Sequence, residues 1–72
     1  MSKMHQPKYQ RLLKKLRQAR LDVGLTQVQV GEKLKQPQVY VSKIERGERS
    51  VDALELAEFA KIYKKPVSFF LS

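Results

Sequence analysis

The side chains best suited to reading a polar surface sit close together between Gln38 and Arg46: a glutamine amide, a serine hydroxyl, a lysine ammonium and an arginine guanidinium. At the helical period, positions 38, 39, 42, 43 and 46 share one face, while Val41 and Ile44 lie on the other. A Gln38 amide offers a donor beside an acceptor, a match for adenine N6 and N7; a Lys43 ammonium can donate to guanine O6 and N7. Val39, short and apolar on the same stripe, either touches a thymine methyl or is a tolerated exposed side chain. Tyr40 at the stripe's edge either reaches a phosphate through its hydroxyl or packs on the preceding helix. Taken alone, Gln38, Ser42 and Lys43 are also what an ordinary solvated helix carries. The elements that present them must decide.

Other chemistries lack their residues. His5 is the single histidine and cysteine is absent, so no nucleophile can be matched with a base, and no enzyme is expected. Metal ligands are missing for the same reason. Gly24, Gly31 and Gly47 are scattered, which excludes a glycine-rich phosphate loop. No cofactor is expected.

Length and charge set the scale. At 72 residues the chain is one domain near the lower limit for a single apolar core without staples. A formal net charge of +8 and a pI near 10.1 point to an anionic partner. From Lys3 to Arg20 there are seven basic residues and no acidic one, whereas Asp52, Glu55 and Glu58 cluster later. A solvated helix face explains such a run as well as an anion-binding face does. The longest apolar runs fall far short of the roughly 20 residues that span a bilayer, and no apolar segment follows the basic start. With no cysteine the redox compartment has to be judged from other features, and a reducing cytoplasm is the default expectation.

Periodicity and capping divide the chain into five helices and no strand. Residues 1–7 are polar and read as a flexible basic tail, leaving residues 8–72 as the domain. From Tyr9, the positions Leu12, Leu13, Leu16, Ala19 and Val23 recur at three- and four-residue steps, and Gly24 stops that first helix. Thr26 and Gln29 form a capping box that starts a second helix at Gln27, with Val28, Val30, Gly31 and Leu34 inward and Lys35 closing it. Pro37 suits a first turn, so a third helix runs from there to about Arg46, ended by Gly47. Ser50 caps a fourth, with Asp52 in its first turn and Val51, Leu54, Leu56, Ala57, Ala60 and Ile62 as apolar surface. Pro66 opens a short last helix.

Two short helices joined by a tight turn, the first bracing the second so that its outer face enters a groove, form a helix-turn-helix. It follows "LRQARLDVGLTQ" (Leu16 to Gln27), ends in "SKIERGERS" (Ser42 to Ser50), and has an apolar helix behind it. In this setting the chain resembles the phage-repressor-like, Xre-type family of DNA-binding domains. The joint signal is specific: an Arg four residues before Gly-Leu-Thr-Gln, matched later by Ile-Glu-x-Gly. The resemblance covers roughly Leu12 to Leu71 and implies a compact, all-α, five-helix lambda-repressor-like fold. It implies base contacts from Gln38, Val39, Ser42 and Lys43, and backbone contacts from Gln27 and from Arg46 and Arg49 in the loop after helix three. Gly31 would be the small residue letting helices two and three approach, and Arg20 would pair with Glu45.

The chain departs from the family pattern at several positions. Lys35 stands where the family often has a glycine in left-handed conformation, Gln36 replaces a β-branched aliphatic, Pro37 replaces a Ser or Thr cap, and Lys64 replaces a helix-ending glycine.

The leading expectation is a sequence-specific, double-stranded DNA-binding transcriptional regulator, a repressor acting by operator occupancy. The alternative is an antitoxin or restriction-modification controller whose DNA-binding body also binds a protein partner. A basic membrane-surface helix is the weakest reading, because helix one lacks Trp and Phe and its apolar face is needed for the core. Val67, Phe69, Phe70 and Leu71 close the chain with more apolar surface than a terminal turn hides, and the family often pairs subunits there, so a weak homodimer is expected, the alternative being a monomer whose last helix folds back onto helix one.

Overall fold

The computed structural model describes residues 5–72, and among them are five helices and no strand: α1 (Pro7–Asp22), α2 (Gln27–Leu34), α3 (Gln38–Glu45), α4 (Ala53–Tyr63) and α5 (Val67–Leu71). Helix α1 begins at Pro7, two residues before the Tyr9 start that periodicity suggested. Proline's fixed φ and missing N–H suit a first helical position, so it extends the helix into the segment read as tail. Residues 1–4 of that tail lie outside the described residues.

The start of α2 follows the sequence signal. Thr26 Oγ1 accepts from the N–H of Gln29 at 3.1 Å, and Gln29 Oε1 accepts from the N–H of Thr26 at 2.9 Å. Two other starts differ from expectation. Pro37 is the extended cap before α3 rather than its first residue. Helix α4 is capped by Asp52, not by Ser50: Asp52 Oδ1 accepts from Glu55 N–H at 2.8 Å and Glu55 Oε1 accepts from Asp52 N–H at 3.0 Å. A Ser and an Asp two positions apart both suit an N-cap. Only Asp52 has a carboxylate at the third helical position to complete the reciprocal box.

The first four helices all end in the same closure. A backbone N–H reaches five residues back, from Leu25 to Arg20 O, Gln36 to Gly31 O, Glu48 to Lys43 O and Lys65 to Ala60 O, at 2.8 to 3.1 Å. The residue before each of these donors has positive φ. Twice it is glycine, Gly24 and Gly47 at +75°; twice it is lysine, Lys35 at 57° and Lys64 at 58°. The closure needs a left-handed residue, and the two lysines adopt it despite their Cβ.

Inward faces from all five helices make one core: Leu13, Leu16 and Ala19 of α1, Val30 of α2, Val41 and Ile44 of α3, Leu56, Phe59, Ala60 and Tyr63 of α4, and Phe70 of α5. Val28 is not among the inward residues of α2; it is 49 % exposed, because the buried face of so short a helix runs through Val30 and Gly31. Helices α2 and α3 share the most extensive contact in the fold. A Cβ on Gly31 would stand 2.7 Å from the Gln36 carbonyl oxygen, so the α2–α3 turn closes directly against the backbone of α2. Outside the helix pairs, Tyr9 joins α1 to the α3–α4 loop by accepting from the N–H of Val51 at 3.1 Å. No helix among the described residues is long and apolar enough to cross a membrane.

Candidate nucleic-acid interface

Helix α3 divides its residues between core and solvent. Val41 and Ile44 are buried, while Gln38, Val39 and Lys43 are exposed and Ser42 is half-buried. The stripe expected from periodicity is therefore an outer surface, with Val39 49 % exposed on it. Ser42 Oγ donates back to the Val39 carbonyl at 3.3 Å, which leaves its oxygen free to accept.

Behind the stripe lies a polar chain rooted in the ion pair of Arg20 and Glu45. Arg20 Nε donates to Glu45 Oε2 at 2.7 Å and Nη2 to Oε1 at 3.1 Å, while Nη1 donates to the Leu25 carbonyl at 3.0 Å. The two side chains are 10 % and 6 % exposed. Hydrogen bonding to Glu45 raises the Arg20 pKa against the opposing effect of burial. Gln27 extends the chain outward: its Nε2 donates to Glu45 Oε1 at 3.0 Å, and its Oε1 accepts from Gln38 Nε2 at 3.4 Å. The first residue of α2 thus connects a buried ion pair to the first residue of the exposed stripe. Its amide is engaged on both sides within the protein.

The loop after α3 carries two arginines, both paired. Arg46 Nε lies 2.9 Å from Glu48 Oε2, with both side chains more than half exposed, a geometry in which solvent leaves little net attraction. Arg49 is held more completely. Its Nη1 and Nη2 donate to Glu55 Oε1 and Oε2 at 3.2 and 3.0 Å, Nη1 also donates to the Ser50 carbonyl at 3.0 Å, and its guanidinium lies 4.6 Å from the centroid of the Tyr40 ring. The Tyr40 hydroxyl donates to Glu55 Oε2 at 2.9 Å, and its ring stacks on Phe59 at 6.4 Å between centroids. Of the two roles open to Tyr40, reaching a phosphate or packing on α2, neither describes these contacts: the ring packs on α4 and the hydroxyl serves Glu55.

The charges in this cluster are mutually fixed. Hydrogen bonds from Arg49, the Asp52 backbone and Tyr40 outweigh burial and hold the Glu55 carboxyl down to about 2. Burial and the Glu55 hydrogen bond push the Tyr40 phenol up to about 12. Glu55 does two tasks, completing the α4 capping box and gripping Arg49. Its place on α4 was visible in the sequence, but no spacing rule joins residues 40, 49 and 55 across a loop.

The terminal residues expected to pair subunits divide between interior and surface. Phe70 is in the core at 2 % exposure, a correction to its expected place on a pairing surface; Phe69 is half-buried, with Lys15 and Lys65 Nζ at 5.6 and 4.9 Å from its ring centroid. Val67 and Leu71 are exposed.

No curated protein matches the chain. A family model described as helix-turn-helix matches residues 16–70, about three quarters of the chain, from the middle of α1 into α5. With that match, a bracing α2, an exposed polar stripe on α3 and a loop carrying two arginines behind it, the chain belongs to the Xre-type, lambda-repressor-like helix-turn-helix family of DNA-binding transcription regulators.

Proposed function

We propose that the protein binds double-stranded DNA at a preferred sequence and represses transcription by occupying that site. The observation that carries this reading is the division of α3, whose apolar residues are spent in the core while Gln38, Val39, Ser42 and Lys43 face outward together. In a major groove, Gln38 and Lys43 would bond base edges, Ser42 would accept or donate, and Val39 would lie against a thymine methyl. Gln27, Arg46 and Arg49 flank the stripe and would fix register on the phosphates, which carry affinity but not sequence information, while Tyr40 supports Arg49 and Glu55 from within the fold. Repression by occupancy asks nothing of the molecule beyond a seated α3.

A binding-site selection on purified protein tests this reading. Gln38→Ala and Lys43→Ala should each relax preference at one base position, at a cost of about 1 to 3 kcal/mol. Arg46→Ala should leave the preferred sequence intact and weaken all sites alike, lowering the log–log salt slope by about one unit. If the α3 substitutions left preference unchanged while a loop substitution altered it, α3 would not be the reading helix.

Two-fold pairing through α5 completes the proposal, with Val67 and Leu71 and the edge of Phe69 as its contact. Two copies would read half-sites about one helical turn apart. Sedimentation at tens of micromolar, with and without a palindromic duplex, checks it; monomers throughout, bound as tightly to one half-site as to two, would remove the dimer.

A further inference from the structure

Arg49 is an exposed cation of the α3–α4 loop, yet three of its five N–H donors are already engaged within the protein. The Nη1/Nη2 fork, one of two guanidinium edges that fit a phosphate in bidentate fashion, is filled by Glu55 with two bonds at 3.2 and 3.0 Å. Tyr40 supports both partners, its ring under the guanidinium and its hydroxyl on the carboxylate. The Arg49 side chain is still 42 % exposed, so a duplex can reach it; the Glu55 carboxylate, 19 % exposed, stays behind it. A phosphate approaching Arg49 meets the negative charge of Glu55 at short range, and it can gain the Nη1/Nη2 fork only by displacing that carboxylate.

We propose that Glu55 is an internal competitor for DNA phosphate, which withholds Arg49 from loosely held duplex and releases it only when α3 is seated in the groove. This rests on the DNA-binding reading above. The consequence is discrimination. Without Glu55, Arg49 would attract any duplex, seated or not, and would add equally to wanted and unwanted binding. With Glu55, a duplex lying loosely on the basic surface gains nothing from Arg49. A seated duplex, whose backbone is brought to the loop by α3 itself, displaces the carboxylate and gains the contact. Glu55 is therefore a specificity-determining residue that touches no base.

The test compares wild type, Glu55→Gln, Arg49→Ala and the double variant on two probes, a duplex of arbitrary sequence and the duplex recovered by binding-site selection. Glutamine can replace glutamate at the third position of a capping box, so the start of α4 is retained, as a thermal melt would verify. Glu55→Gln should raise affinity for the arbitrary duplex several-fold and steepen its log–log salt slope by about 0.9, one further phosphate neutralised. The gain on the selected duplex should be smaller, and in the Arg49→Ala background the gain on both should vanish. An unchanged or lower affinity in Glu55→Gln, or the same gain without Arg49, would overturn the proposal, the last by showing only a general charge effect. Wild-type protein that selects no sequence would instead sink the parent reading. Should Glu55→Gln fail to fold, the wild type still decides: the Arg49 Nε and Glu55 Cδ resonances should both move as the selected duplex is added and stay in place with the arbitrary one. Static signals with the selected duplex would overturn the inference.

Discussion

The Glu45 carboxylate takes both arms of the Arg20 guanidinium, at 2.7 and 3.1 Å, in a site where the two side chains are nearly sealed from solvent. Because Arg20 also holds the Leu25 carbonyl, one side chain ties α1, the turn after it and the end of α3 together. Arg20→Ala would leave Glu45 buried with Gln27 as its remaining hydrogen-bond donor. The expected loss is about 3 kcal/mol, read by urea unfolding. Arg20→Lys should recover little of it, since an ammonium cannot reproduce the fork. Stability within about 0.5 kcal/mol of wild type in Arg20→Ala would contradict this role.

Acid should find the Glu55 cluster. Its folded pKa is depressed to about 2, so its contribution is present above the ordinary carboxylate range and is lost as pH falls through that range toward 2. Glu55→Gln should flatten the acid limb of a stability-versus-pH curve between about pH 5 and 2, relative to wild type. Equal slopes for the two proteins would show that the pair adds nothing in solution.

At Lys64 the backbone pays for a side chain it does not need. The residue is exposed and lies at φ 58°, where a Cβ is unfavourable. Lys64→Gly should stabilise by about 1 kcal/mol, raising the melting temperature by about 4 to 8 °C in a domain of this size. Glycine's greater freedom in the unfolded chain works against this gain, so a lower melting temperature would mean that the unfolded-state effect dominates.

Tyr63 offers the opposite kind of test. Its ring fills the core at 1 % exposure, but its hydroxyl has no hydrogen-bond partner among the described residues, and burial together with the charge of Glu45 raises its pKa and so disfavours its ionisation. Tyr63→Phe keeps the ring and removes an unsatisfied donor, so calorimetry should find stability unchanged or higher by about 1 kcal/mol. A loss greater than that would show the hydroxyl to be bonded in solution.

What could be read from the sequence was what depends on neighbours in the chain. The Thr26–Gln29 box and the outward stripe of α3 are set within a few residues, and each was legible; the left-handed conformation of Lys35 came from the family resemblance instead. Where two local signals competed, as Ser50 and Asp52 did for the α4 cap, the choice fell to a side chain three residues further on. Val28 was misplaced because an eight-residue helix offers too few turns to fix its face by periodicity. Phe69 and Phe70 could not be ranked, since which one enters the core depends on how α5 meets α1. The family resemblance supplied the correspondence of Arg20 with Glu45. Nothing supplied Glu55 as the partner of Arg49 and Tyr40, because that cluster exists only once α4 has folded back beside the loop.

Gly31 fixes the α2–α3 turn through backbone contact, and Val41 and Ile44 secure α3 from behind, so Val39, Ser42 and Lys43 contribute little to holding the helix in place. Such a surface can be rewritten. If this stripe reads DNA as proposed, single replacements of Val39 or Lys43 should change target preference at little cost in stability. Gln38 is the exception, because its bond to Gln27 ties any change there to the second helix as well. The effect of a replacement at position 38 should therefore depend on the residue at position 27, which a double-mutant cycle would read.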